Sequence, residues 1–262
     1  PPPTPPPPPL PALLAPLLGS PVDVRHEGAW WPAVLRAIGA DGGTLRYRVS
    51  LAPLGDDLLE VSGVVHTLKQ HGFARNLPWQ LQLLEDQSGV RLTLSDTEDT
   101  LAAYPFSFVV EMEIRPVAQA LEIHTTIQNR SESVMPFSFG LHPYFNISDL
   151  AQTDLAGLNE RCLNHLEMAE TDTASQLGRL PDGVDFLCRP AGPVTLIDRT
   201  NGQQLQLQHQ EPMDLTVIWT EPPRAMVCVE PWTGPRQSLI SGDRKLEIQP
   251  GASCALSCRY AV

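Results

Sequence analysis

From Val64 to the C-terminus the chain is cut at short intervals into runs in which apolar and polar residues alternate. Val90–Leu94 (VRLTL), Phe106–Ile114 (FSFVVEMEI) and Leu121–Ile127 (LEIHTTI) show the pattern. Val194–Ile197, Leu205–Leu207, Leu215–Trp219, Met226–Val229, Lys245–Ile248 and Ala252–Tyr260 continue it. Successive strand side chains point to opposite faces, so a period of two puts one face on a core and the other on solvent or a second sheet. Turn-forming clusters separate the runs: Asp86-Gln87-Ser88-Gly89, Asn129-Arg130-Ser131, Asn201-Gly202 and Pro250-Gly251. Their residues favour the left-handed or side-chain-bonded backbone that a reversal needs. Helical periodicity is confined to Leu158–Ala169. About a dozen short strands in about 200 residues predict one large antiparallel β-sandwich or barrel, and no repeat of about 20–50 residues points to a propeller.

The first 54 residues differ in kind. Residues 1–22 hold 11 of the 27 prolines, and a run such as Pro5–Pro9 lacks backbone donors and favours an extended polyproline coil. Residues 1–54 carry four basic and three acidic residues, whereas the remaining 208 carry 14 and 27. The switch near Leu54–Gly55 predicts a poorly ordered Pro-rich segment over 1–54 and a folded β domain over 55–262. The net charge of −12 argues against nucleic acid as a partner, since that needs a basic face. The apolar runs fall short of the roughly 20 residues that a membrane-crossing helix needs, and no stretch is built like a secretory leader. Five cysteines without a CxxC pair read as buried thiols of a reducing compartment. The expectation is a cytoplasmic protein without nucleic-acid or membrane partners.

Three stretches are polar where a plain strand would not be: His71-Gly72-Phe73-Ala74-Arg75-Asn76, Gly140-Leu141-His142-Pro143-Tyr144-Phe145-Asn146, and Met226-Val227-Cys228-Val229-Glu230-Pro231-Trp232. Each places an ionisable residue beside Gly, Pro or an aromatic at the end of an apolar run, where sites are commonly built. Glu230, after four apolar residues, reads either as the first solvated residue past a strand or as a half-buried base. His142 reads either as a satisfied core histidine or as a group that exchanges protons near neutrality. Arg75 suits a surface position or an anion contact, through its planar fork. No Gly-x-Ser-x-Gly elbow marks a serine hydrolase and no Gly-rich loop marks a nucleotide site. His66 and His71 lack an HExxH pattern or a Cys/His cluster, so no metal is expected. Trp79, Tyr144, Trp219 and Trp232 suit a core, or the stacking of a sugar's apolar face.

In order and spacing, HGFARNLPW, GLHPYFNISD and VCVEPWTGPRQSL with the terminal PGAS turn resemble the aldose 1-epimerase (mutarotase) superfamily. Within it they are similar to the glucose-6-phosphate 1-epimerase-like branch, in a cyanobacterial-type form. The resemblance covers residues 63–262. It implies an all-β supersandwich with a sugar cleft on one sheet, and cofactor-free interconversion of the α and β anomers of a hexose or hexose 6-phosphate. It implies that Glu230 is the general base on the anomeric hydroxyl and His142 the general acid on the ring oxygen. His71 and Arg75 would bind substrate, Arg75 at a phosphate or hydroxyl. Members usually also carry an aspartate in the strand ending near Trp219; here Glu211 and Asp214 both lie close, and Asp214 is taken as the substrate-binding candidate. An Arg-Gly-Gly-type turn that precedes the first His motif in the family has no counterpart in residues 1–54, which implies a divergent or truncated N-terminus. The competing expectation is a non-catalytic carbohydrate-binding β-sandwich; the two are discriminated by whether His142 and Glu230 face each other across one cleft at sugar distance.

Overall fold

The computed structural model describes residues 21–26, 29–41, 44–51 and 57–58 as backbone and residues 59–262 with their side chains. The proline-rich residues 1–20 and the composition switch at Leu54–Gly55 lie outside the described residues. The chain divides into two compact units. One is Pro1–Asn76, Ala102–Pro105 and Arg236–Asp243, and the other is Leu77–Leu101, Phe106–Pro235 and Arg244–Val262.

In the first unit, Pro21–His26 (β1), Ala29–Asp41 (β2) and Thr44–Leu51 (β3) pair antiparallel in that order, within the segment whose composition reads as an arm. Asp57–Val61 (β4) and Val64–Leu68 (β5) form a hairpin. Its two-residue turn, Ser62-Gly63, has positive φ at both positions, the backbone that matches strand twist.

The second unit is built from Gln80–Leu83 (β6), Val90–Ser95 (β7), Phe108–Val117 (β8), Ala120–Asn129 (β9), Met135–Phe137 (β10), Tyr144–Asn146 (β11) and Thr153–Leu158 (β12). Arg161–Asn164 (β13), Ala169–Asp172 (β14), Asp185–Cys188 (β15), Pro190–Asp198 (β16), Gln203–His209 (β17), Leu215–Trp219 (β18), Met226–Trp232 (β19), Leu246–Ile248 (β20) and Ser253–Ala261 (β21) complete it. Eight strands make an antiparallel sheet in the order β12-β16-β17-β21-β9-β8-β7-β6, and six make a second in the order β11-β19-β18-β15-β13-β14. The turn signals work as their chemistry dictates. Asp86 Oδ1 accepts from the Ser88 N–H at 3.0 Å, and Asn129 Oδ1 accepts from the Ser131 N–H at 2.8 Å. Gly202 and Gly251 take positive φ.

Register sorts the six-stranded sheet into two faces. Phe145 pairs with Val227, Val229 with Ile218, and Ile218 with Phe186, so these five share one face. That face packs on the eight-stranded sheet: the Tyr260 hydroxyl of β21 donates to the Val229 carbonyl at 3.1 Å, and its ring centroid lies 5.2 Å from that of Phe145. The result is the antiparallel sandwich that the alternation predicts. Burial pushes the Tyr260 phenol well above its ordinary range.

The one helical expectation fails. Leu158–Ala169 holds the end of β12, all of β13, a turn and the first residue of β14. Cys162 and Asn164 are both buried while Arg161 is exposed and Leu163 half-buried, a period of two that the apolar spacing had masked. Asn164 Oδ1 accepts the Leu166 N–H at 2.9 Å and Met168 takes a positive φ, so the chain reverses there instead of coiling.

Candidate active site

The opposite face of the six-stranded sheet carries the chemistry. Tyr144 and Trp219 both pair with Cys228, Glu230 pairs with Val217, and Asp185 pairs with Trp219, so their side chains leave that face together. The composition of β19 suggests that the strand ends before Glu230. It continues through Trp232, and every residue from Met226 to Pro231 is buried. Pro231 keeps its carbonyl on the ladder, accepting from the Leu141 N–H at 3.2 Å.

Glu230 is 1% exposed. Its Oε2 accepts from the Trp232 indole N–H at 3.0 Å, and its Oε1 lies 3.4 Å from His142 Nδ1. Register creates this meeting. Tyr144 pairs with Cys228 and Gly140 bridges to Trp232, so the residue midway, His142, falls opposite Glu230. His142 is stacked on Tyr144, with centroids 5.0 Å apart and planes at 13°. Trp219 meets both rings edge-on, at 5.7 Å from His142 and 5.9 Å from Tyr144. An imidazole packed this way has few rotamers left, which aims its ring nitrogens. The histidine is 26% exposed against 1% for its partner, so the pair opens on the His142 side.

Three further features surround the pair. The Arg224 guanidinium lies over the Tyr144 ring, 5.5 Å from its centroid, and pairs with Glu221 at 2.9 Å. Asp185, which the sequence reading did not single out, accepts His165 Nδ1 at 2.7 Å. The His165 ring is buried and stacks on Trp232 with centroids 6.1 Å apart. Cys228, two residues before Glu230 on the same face, is fully buried. Burial and the neighbouring Glu230 carboxylate push its thiol up to about 12.

Gly140 is required by contact. A Cβ built there would sit 2.7 Å from Trp232 Cδ1 and 3.0 Å from Nε1, so the indole that holds Glu230 would have to move. We expect Gly140→Ala to displace the indole and to slow the proton-transfer chemistry proposed below between about 10- and 100-fold, the range for a displacement of a fraction of an ångström to one ångström. Tryptophan fluorescence should change in step. An unchanged rate would show that Trp232 does not set the Glu230 position.

Asp214, His71 and Arg75 are the other residues expected from sequence. The Asp214 carboxylate, just before β18, is held by Arg244 and, at 2.9 Å, by Arg189. The carboxylate on the same face as Glu230 is Asp185. His71 and Arg75 belong to the first unit. His71 occupies a β-turn closed by Gly72 N–H to Lys69 carbonyl at 2.7 Å, with φ of 66°, a left-handed conformation that costs a non-glycine residue about 1–2 kcal/mol. Arg75 is exposed in the 3₁₀ turn Ala74–Asn76 that follows. Phe73 between them packs near Tyr104, with centroids 6.0 Å apart, which anchors the turn.

Residues 58–260 match the family described as Aldose 1-epimerase, and the chain belongs to that family. A curated relative from Escherichia coli (strain K12), "Putative glucose-6-phosphate 1-epimerase", is 31% identical over 161 residues, covering 60% of this chain and 53% of the relative. A Salmonella typhimurium relative of the same description is 28% identical over 165 residues, 61% and 54% of the two chains. This chain thus spans about half the length of the curated relatives it matches. Among solved structures, a protein from Synechocystis sp. PCC 6803 superposes with a TM-score of 0.75 at 24% identity, covering 92% of this chain and 94% of that one. A galactose mutarotase-like protein from Lactobacillus casei ATCC 334 gives 0.68 at 20% identity, covering 92% and 99%. The sandwich is therefore that of the mutarotases. No helix among the described residues is long and apolar enough to cross a membrane.

Proposed function

We propose that this protein is an aldose 1-epimerase that interconverts the anomers of a hexose 6-phosphate. One observation carries the reading: a buried carboxylate and a stacked imidazole in contact at 3.4 Å. Anomerisation needs a proton removed from O1 and one delivered to O5, and both oxygens are bonded to the same carbon. The base and the acid must therefore sit side by side. A glycosidase instead separates its two carboxyl groups by about 5–9 Å. The pair begins as carboxylate and imidazolium. Glu230 takes the O1 proton as His142 gives one to O5, the C1–O5 bond breaks, and an open-chain aldehyde forms. After rotation about C1–C2 the O5 hydroxyl adds to the other face of the carbonyl, His142 recovers its proton and Glu230 returns its own to O1. Nothing is consumed, and two groups acting in reverse close the cycle. Tyr144 and Trp219 offer rings for the apolar face of the sugar. The pair is in contact instead of facing across a cleft at sugar distance, and the catalytic reading rests on that side-by-side placement, which suits two oxygens on one carbon.

The substrate class rests on the resemblance to the glucose-6-phosphate branch and on two arginines. Arg75 follows His71 in the first recognised motif, and Arg224 lies over the ring that stacks on His142. Each offers a planar fork to a phosphate. His71 is assigned to orient the sugar, and Asp185, on the face of Glu230, offers a carboxylate for its hydroxyls. Calorimetric titration should show glucose 6-phosphate binding about 10- to 100-fold more tightly than glucose, the size of one or two exposed charge-assisted contacts. Arg75→Ala and Arg224→Ala should each erode that preference and leave glucose binding in place. Equal affinities in the unmodified protein would make it an epimerase of free aldoses.

A further inference from the structure

The same pair belongs to a three-donor set that the epimerase reading does not use. Cys228 and Glu230 lie two residues apart on one strand and so leave the same face, and Cys228 is the register partner of Tyr144, two residues after His142. One donor atom from each of His142, Cys228 and Glu230 lies within 4.8 Å of the others. Thiolate, imidazole and carboxylate are the donors that zinc takes, at about 2.0–2.3 Å. Tetrahedral donors at that radius are closer together than 4.8 Å, so a modest side-chain rotation closes the set. Three protein ligands leave the fourth position for water, on the side where His142 is partly exposed.

We propose that His142, Cys228 and Glu230 form an inhibitory site for a thiophilic divalent cation of the zinc type. The ion replaces two protons, that of the Cys228 thiol and one from the His142 imidazolium, both of which pass to the buffer, and takes one lone pair each from the imidazole so formed and from the carboxylate. Since Glu230 and His142 are the groups assigned to O1 and O5, a bound ion removes both from the reaction and competes with sugar. The inference rests on the epimerase reading only for this competition; the binding itself does not.

The binding test is titration with cobalt(II) chloride, whose bond to a thiolate gives a charge-transfer absorption band. The expected result is a 1:1 endpoint with that band, displaced by zinc chloride. Cys228→Ala should abolish the band. His142→Asn, whose side chain is less buried, serves as the second variant: it should weaken binding by at least about tenfold, the effect of losing even an outer-shell partner. In the mutarotation assay zinc should raise the apparent KM without lowering kcat, and a chelator should reverse it. Inhibition of Cys228→Ala should need at least about tenfold more zinc. A band that survives in Cys228→Ala places the ion on another of the five thiols and overturns the proposal, as does the lack of a 1:1 endpoint in an active enzyme. A protein that binds cobalt through these residues but does not mutarotate keeps the metal site and overturns the epimerase reading instead.

Discussion

Glu230→Gln is expected to lower the rate of anomer exchange by about 10²–10⁴-fold, the usual contribution of a positioned proton-transfer group, while the fold survives. The expectation follows from its surroundings. Gln keeps the size of Glu and an acceptor oxygen for the Trp232 indole N–H that now bonds Oε2 at 3.0 Å. It does not place an unpaired charge in a site that is 1% exposed, where breaking a buried pair is costly. What it loses is the capacity to take a proton, the role at O1 that the proposed mechanism gives Glu230. Far-UV circular dichroism and thermal unfolding should match the parent protein while the optical-rotation rate collapses. A variant that relaxes α-glucose 6-phosphate at the parental rate would remove Glu230 from the mechanism.

His142→Asn should cost a similar factor, since the ring oxygen would then leave as an alkoxide without a donor. The fold effect should be small, because the histidine is partly exposed and its packing is with Tyr144 and Trp219. His71→Asn is the control. It should raise KM more than it lowers kcat, as expected for a group that orients substrate. If His142→Asn stays active while His71→Asn is dead, the acid and the binding residue are exchanged.

The sandwich was legible because period-two alternation is a property of each strand alone. Phe106–Ile114 or Ala252–Tyr260 needs no partner to be recognised, and Asp86–Gly89 or Asn201-Gly202 forms its turn from local chemistry. The His142–Glu230 pair was legible only as two separate motifs. Nothing local to GLHPY or CVEPW says that residue 142 faces residue 230; that is decided by the register of β11 on β19. Glu230 looked like a strand terminus since Pro231 follows it, yet β19 runs through the proline, which forfeits only a donor. Asp185 carried no signal. It begins a four-residue strand, and what marks it is its place opposite Trp219. Leu158–Ala169 misled for a related reason: apolar residues spaced near four apart fit a helix as well as two short strands joined by a turn.

The central claim is most directly tested by the optical rotation of freshly dissolved α-D-glucose 6-phosphate, followed with the protein at several concentrations and in buffer alone. A catalyst changes the rate and not the equilibrium, so the account predicts exponential relaxation to the buffer endpoint with a rate constant that rises linearly with protein. Glu230→Gln at the same concentrations should follow the buffer trace closely. Relaxation indistinguishable from buffer with the unmodified protein, or equal acceleration by Glu230→Gln, would contradict it.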